Sequence, residues 1–208
     1  METSRRAYVS RADGFALGLI ATGAVSVAAA SVVSMIQSAF GAFGEEVHVR
    51  MPVTGGEVTA LEGIAGVSSA QYAAADVVLT TVPAGARWLL FTEGALPALA
   101  TIGVCIVAWW LGVSLMRSRP FRNSMSWAIG IAACLVVAGG VFGQLSGAVG
   151  RAVIVERLAA SHPAVTDVFW TFLIDLDLAP VGWGFALALI AGAFSIGSRL
   201  QRETEGLV

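Results

Sequence analysis

The side chains that could bind a metal ion or transfer a proton gather in two stretches between apolar runs of this chain. They are Glu45, Glu46, His48, His162, Asp175 and Asp177. Carboxylate oxygens are the ligands that Ca²⁺ prefers. Two histidines so far apart do not have the spacing of a zinc site. Carboxylates beside an apolar run also suit a helix start, where they interact with the helix dipole. We expect a solvated acidic rim, and cation binding is the alternative.

Other signatures of chemistry are missing from the sequence. It contains no Gly-rich phosphate loop, no nucleophile elbow and no His-Glu-x-x-His motif. Cys105 and Cys134 lie inside apolar runs and are expected to be small buried hydrophobes. We therefore predict no catalytic residue, no cofactor and no metal. An enzyme acting on lipid through Asp175, Asp177 and His162 is a minor alternative.

The composition is that of a membrane protein. The 208 residues are 57% apolar and only 12% charged, with a mean hydropathy of +0.80. Soluble domains carry roughly 25% charged residues, because their surface must be hydrated. The net charge of −2 is too small to indicate a nucleic-acid partner. We expect the lipid bilayer to be the main partner.

Four apolar runs predict an all-α membrane fold, a four-helix transmembrane bundle. The spans are predicted at about 14–40, 88–116, 124–147 and 178–198. A helix crosses a hydrocarbon core of about 30 Å with about 20 residues. We treat residues 1–208 as one integral membrane domain. A cleaved signal peptide is the alternative for the first run, but its apolar character continues past Ala30.

Two longer segments, 45–87 and 148–177, connect the spans on one side. Alternation over 46–53 and β-branched residues over 76–82 predict strands, and so a small β-containing cap. A lone hairpin is marginal in water, so the cap should lean on the other segment or on the helices. In that other segment, 152–160 could form a short amphipathic helix. Residues 165–173 could lie in the membrane interface or join the fourth helix.

Arginine sets the predicted orientation. With both termini and the 117–122 turn on one side, that side has eight of the twelve basic residues. The positive-inside rule then places the termini in the cytoplasm and the cap on the outer side of the cell membrane. Arg117, Arg119 and Arg122, here called the arginine hinge, serve first as a topology signal. They could also bind anionic lipid or a cytoplasmic partner.

Small and polar residues mark the third run. Gly139, Gly143 and Gly147 recur at every fourth position, which lets two helices approach closely. Packing within the chain is expected, and a homo-oligomer or another membrane protein is the alternative. Gln144 should hydrogen-bond a neighbouring helix, with a polar pathway as the other possibility. No Asp, Glu, Arg or His falls in the middle of a predicted span, which disfavours a proton relay.

Two short motifs resemble a family of bacterial membrane proteins, domain of unknown function 2975. They are Arg119-Pro120-Phe121-Arg122-Asn123 with Trp127-Ala128-Ile129-Gly130, and the end Arg199–Val208. The Gly usual before the basic-Pro-Phe turn is Ser118 here. The resemblance implies four spans and no particular activity. Together the sequence predicts a non-enzymatic membrane protein that senses or scaffolds through a partner, with a small transporter or permease subunit as the alternative.

Overall fold

The computed structural model describes residues 11–56, 58, 66, 68–116 and 123–205. Most of this part is helical. The helices are α1 (Arg11–Phe43), α2 (Ala84–Met116), α3 (Asn123–Ser161), α4 (Val165–Val168) and α5 (Ala179–Glu205). The strands are β1 (Val47–Pro52) and β2 (Ala74–Leu79). The three residues of the arginine hinge lie outside the described residues: Arg117, Arg119 and Arg122.

Within the described residues, four helices are long and apolar enough to cross a membrane, as the sequence predicts. Their apolar stretches are Gly18–Phe43, Ala84–Ser114, Ser126–Ser161 and Ala179–Gly197. The prediction of a mostly helical protein with four apolar helices and a small sheet is therefore confirmed.

Each of the four long helices extends beyond its predicted span, as α2 and α3 illustrate. α2 begins at Ala84, one turn before Trp88, and the N–H of Arg87 donates to the Pro83 carbonyl there. α3 continues through the predicted end at 147 and absorbs the short helix expected at 152–160. Its final turns bury Ile154 and Val155, and this packing offsets the cost of the glycines. Pro163 follows the end of α3, as is usual after a helix.

The strands form an antiparallel hairpin in the predicted region. The register pairs Val47 with Leu79 and Pro52 with Ala74. The inner side of β1 is formed by Val47, Val49 and Met51, which are at most 4% exposed. His48 and Arg50 point to the other side and are exposed, the alternation that the sequence shows.

The chain folds into two compact units. The first contains the described parts of 1–34, 96–141 and 178–208, and the second contains those of 35–95 and 142–177. In the first unit, glycines allow close helix approach. A Cβ at Gly139 would lie 2.8 Å from both the Leu96 carbonyl oxygen and the Ala100 Cβ on α2. A Cβ at Gly140 would overlap Pro180 of α5.

The second unit has an apolar core of its own. Its fully enclosed residues come from the hairpin, the start of α2 and the end of α3: Val47, Val49, Met51, Val82, Ala86, Ile154 and Val155. Phe169 and Val165 pack against this cluster from the segment after α3. Val53 forms a β-bridge with Phe169. The expectation that the hairpin leans on the helices and on the later segment is confirmed.

α1 shows a regular stripe of reduced exposure. Apart from Ala39, its less exposed positions are spaced by three and four residues: Ala21, Ala24, Ala28, Ser31, Met35, Ser38 and Ala42. This is the spacing of the contact seam in a left-handed coiled coil, and nearly every residue in the stripe is small. The rest of α1 exposes larger apolar side chains, such as Leu19, Val25 and Phe40.

Candidate functional site

Arg87 ties the start of α2 to the end of α1 in the second unit. Its Nη1 donates to the carbonyl oxygens of Gly44 at 2.8 Å and Ala42 at 3.3 Å. Its Nε donates to the Val82 carbonyl at 3.3 Å. The last carbonyls of a helix have no partner in the helix and carry partial negative charge. Arg87 therefore closes the end of α1 with a charged group.

An ion pair joins α2 to α3. Arg151 Nη1 lies 2.8 Å from Glu93 Oε1 and 3.0 Å from Oε2. The two side chains are 22% and 35% exposed, so water screens them only in part. Gly147, one turn before Arg151, leaves the space that the Glu93 carboxylate occupies, because a Cβ there would overlap it. The ion pair is therefore part of the packing contact between α2 and α3.

Aromatic rings surround the same helix ends. Phe43 of α1 meets Trp88 of α2 edge-on, with ring centroids 4.9 Å apart. Phe91 contacts both rings at centroid distances of 5.8 and 5.9 Å. Trp88 is still 58% exposed. An exposed Trp near a helix end is typical of the membrane–water interface.

Gln144 makes a two-point contact with the main chain of Asp177. Its Oε1 accepts from the Asp177 N–H at 2.6 Å, and its Nε2 donates to the Asp177 carbonyl at 3.0 Å. Asp177 lies two residues before α5 begins. The predicted partner is a neighbouring helix, whereas Gln144 bonds the main chain just before α5 begins. This contact holds the chain that enters α5 against α3.

The hairpin presents a polar side and an edge with outward main-chain groups. Within the described part of the chain, β2 pairs with β1 alone. Val53 donates to the Ala73 carbonyl. Because pairs alternate in an antiparallel ladder, the main-chain groups of Ala74, Asp76 and Val78 point away from β1. The edge of β2 is therefore a place where another strand could pair.

The opposite edge of the hairpin, that of β1, is used at its C-terminal end by the segment after α3. Trp170 donates to the Pro52 carbonyl, and Thr54 donates to the carbonyl of Val168. The Thr54 hydroxyl also donates to the Asp167 carbonyl at 2.6 Å. The two edges of the sheet are therefore different, and β2 provides the one directed away from this segment.

The acidic and histidine side chains of the two loops are the candidates for a metal site. Within the residues that the structure describes, no three His, Cys, Asp or Glu side chains come together as metal ligands. His162, Asp175 and Asp177 are among the residues described. Each of the three is exposed.

The glycines of the third run fall on the packed side of α3. Gly139, Gly143 and Gly147 are all buried. Gly139 faces α2 in the first unit, and Gly147 faces Glu93 of α2 in the second. These contacts lie within one chain. Cys105 is buried, whereas Cys134 is exposed, so the expectation that both are buried is wrong for Cys134.

Sequence reasoning missed the roles of Arg87, Glu93 and Arg151. A signal was present for Arg87, which stands in the first turn of α2. The positive end of the helix dipole disfavours a cation at this position. An arginine there therefore indicates that its side chain binds a hydrogen-bond acceptor outside α2. Glu93 and Arg151 each stand alone at the edge of a long uncharged run. Their pairing could not be found without knowing which turns of α2 and α3 face each other.

Length and composition of the four apolar helices define the class: a multi-pass membrane protein. Beyond this class, no family model, no curated protein and no solved structure matches the chain. Membership of the family suggested by the arginine hinge therefore stays a prediction.

Proposed function

We propose that this protein is a non-enzymatic scaffold or sensor of a bacterial inner membrane, which acts by binding a partner protein through its second unit. The observation that carries the proposal is the hairpin. Its inner side is closed by a core, while its outer side carries His48, Arg50 and Asp76 and its β2 edge has main-chain groups directed outward. An extended segment of a partner can pair with such an edge.

The arrangement of charge supports an extracytoplasmic position for this unit. Eight of the twelve arginines fall on the side of the termini and the arginine hinge. The positive-inside rule assigns that side to the cytoplasm. The hairpin and the segment after α3 then lie outside, where a signal or an envelope protein would be met.

A permease subunit fits the helices less well. Such a protein typically has an ionisable group along a path between its helices. α2 has no such charge from Gly94 to Met116, and α3 has none from Asn123 to Gly150. Glu93 and Arg151 stand at the ends of these runs and neutralise each other.

A photo-crosslinking experiment tests the proposal. A photoreactive amino acid replaces Val78, which is 49% exposed on the edge strand, in the full-length protein in living cells. We expect one discrete protein adduct, identified by mass spectrometry and weakened when Arg50→Glu is added. The matched control is Leu189 of α5, 76% exposed on an apolar helix, where no discrete adduct should form. Equal adducts at both positions, or none at Val78, would refute partner binding by this edge.

A further inference from the structure

The segment that leads from α4 into α5 exposes an unusual amount of apolar surface. Trp170, Phe172, Leu173, Leu176 and Leu178 are between 42% and 61% exposed. Residues 170–178, here called the aromatic strip, form no helix or strand. Apolar patches of this kind mark contact with a protein or a membrane.

The strip combines apolar and acidic side chains. Ile174, Leu176 and Leu178 alternate with Asp175 and Asp177 in the sequence. Both leucines and both carboxylates are exposed. This mixture suits a boundary between water and an apolar medium, where apolar groups can enter the acyl region while carboxylates stay hydrated.

The end of the strip is tied to a membrane-length helix. Gln144 of α3 holds the main chain of Asp177 by two hydrogen bonds, of 2.6 Å and 3.0 Å. The strip then continues directly into α5, which begins at Ala179 and is also apolar enough to cross a membrane.

We propose that the aromatic strip lies in the headgroup region of the bilayer, with Trp170, Phe172 and Leu176 directed toward the acyl chains. Asp175 and Asp177 occupy its water-facing side. The strip cannot enter the hydrocarbon itself, because an irregular main chain needs hydrogen-bond partners that only headgroups and water supply there.

Lipid is favoured over a protein partner for two reasons. The strip continues directly into α5, whose exposed side chains are also apolar, including Trp183 at 69% and Phe185 at 67%. In addition, Trp is enriched at the membrane–water interface. The contact does not depend on the partner-binding edge of β2, which lies in another part of the sequence.

Spin labels in nanodiscs of phosphatidylethanolamine and phosphatidylglycerol test the depth. Phe172→Cys and Leu176→Cys are each labelled in full-length protein carrying Cys105→Ala and Cys134→Ala. His162→Cys, an exposed position just after α3, is the control in water. Collision with oxygen, which partitions into the bilayer, is compared with collision with a water-soluble nickel complex.

We expect the ratio of oxygen to nickel accessibility to be several-fold higher at Phe172 and Leu176 than at His162. Equal ratios at the three positions would place the strip in water and overturn the proposal. Low accessibility to both reagents at Phe172 and Leu176 would show a protein covering the strip and would overturn it as well. Two labelled positions are used so that one poorly folded variant does not decide the result.

Discussion

At the scale of single residues, the helix contacts of this protein depend on particular glycines, which have no side chain, as well as on larger residues. Gly139 lets α3 approach the Leu96 carbonyl, and Gly147 makes room for the Glu93 carboxylate. A Cβ at Gly130 on the same helix would have no atom within 4 Å, so this glycine has no such role. Glycines of one helix are therefore distinguishable by what lies opposite them.

We expect Gly139→Ala to destabilise the protein by about 1–3 kcal/mol, because the new methyl group meets a main-chain oxygen that cannot move aside. The matched change Gly130→Ala should be neutral or stabilise by up to about 1 kcal/mol, since alanine favours the helix. Thermal unfolding in detergent, followed by circular dichroism, compares the two. Similar midpoints for both variants would show that Gly139 is not a packing position.

Arg87 is the other residue with a specific structural task. Arg87→Met removes the donor to Ala42, Gly44 and Val82 while keeping a long unbranched side chain. Leaving these carbonyls without the charged donor should cost about 2–3 kcal/mol. Hydrogen exchange measured by mass spectrometry should show faster exchange near the end of α1.

Arg50→Met, on the outer side of β1, is the control for this change. It removes the same charge from the same unit and should leave exchange at the end of α1 as in the native protein. If Arg87→Met also left that exchange unchanged, the proposed closure of α1 would be wrong.

At the scale of elements, the second unit is held together by helices that run on beyond the length a bilayer requires. α3 has 39 residues, which makes about 58 Å of helix. The extra turns supply Ile154 and Val155 to the core beneath the hairpin. The Glu93–Arg151 pair then links these turns to α2.

A double-mutant cycle with Glu93→Gln and Arg151→Gln measures this link. The pair is neither exposed nor fully buried, so we expect a coupling free energy of about 1–2 kcal/mol. The stability losses of the two single variants should add up to more than the loss of the double variant, because each single variant leaves one charge without its partner. A coupling free energy near zero would show that the two side chains act independently.

At the scale of the whole molecule, the distribution of arginine predicts how the chain lies in the membrane. In protein lacking Cys105 and Cys134, we expect His162→Cys to react with a membrane-impermeant maleimide added outside intact cells. Arg202→Cys should react only after the membrane is opened, because the C-terminus is predicted to be cytoplasmic. The reverse pattern would invert the topology.

Charge reversal at the arginine hinge is the companion experiment. Replacing Arg117, Arg119 and Arg122 with Glu removes three of the eight basic residues on the predicted cytoplasmic side. We expect mixed or inverted labelling at the same two cysteine positions. Unchanged labelling would show that the other arginines suffice to orient the chain.

The sequence by itself determined the number of apolar helices, the position of the hairpin and the alternation of β1. These features depend on local patterns of polarity, which need no knowledge of neighbours. Only the tertiary structure decided that α3 runs to Ser161, that Arg151 meets Glu93, and that Gln144 holds Asp177. The reason is physical: a helix apolar on every side does not reveal by polarity which side packs. The spacing of Gly139, Gly143 and Gly147 does indicate a packing side, but only the structure shows that Gly139 meets Leu96 and Gly147 meets Glu93.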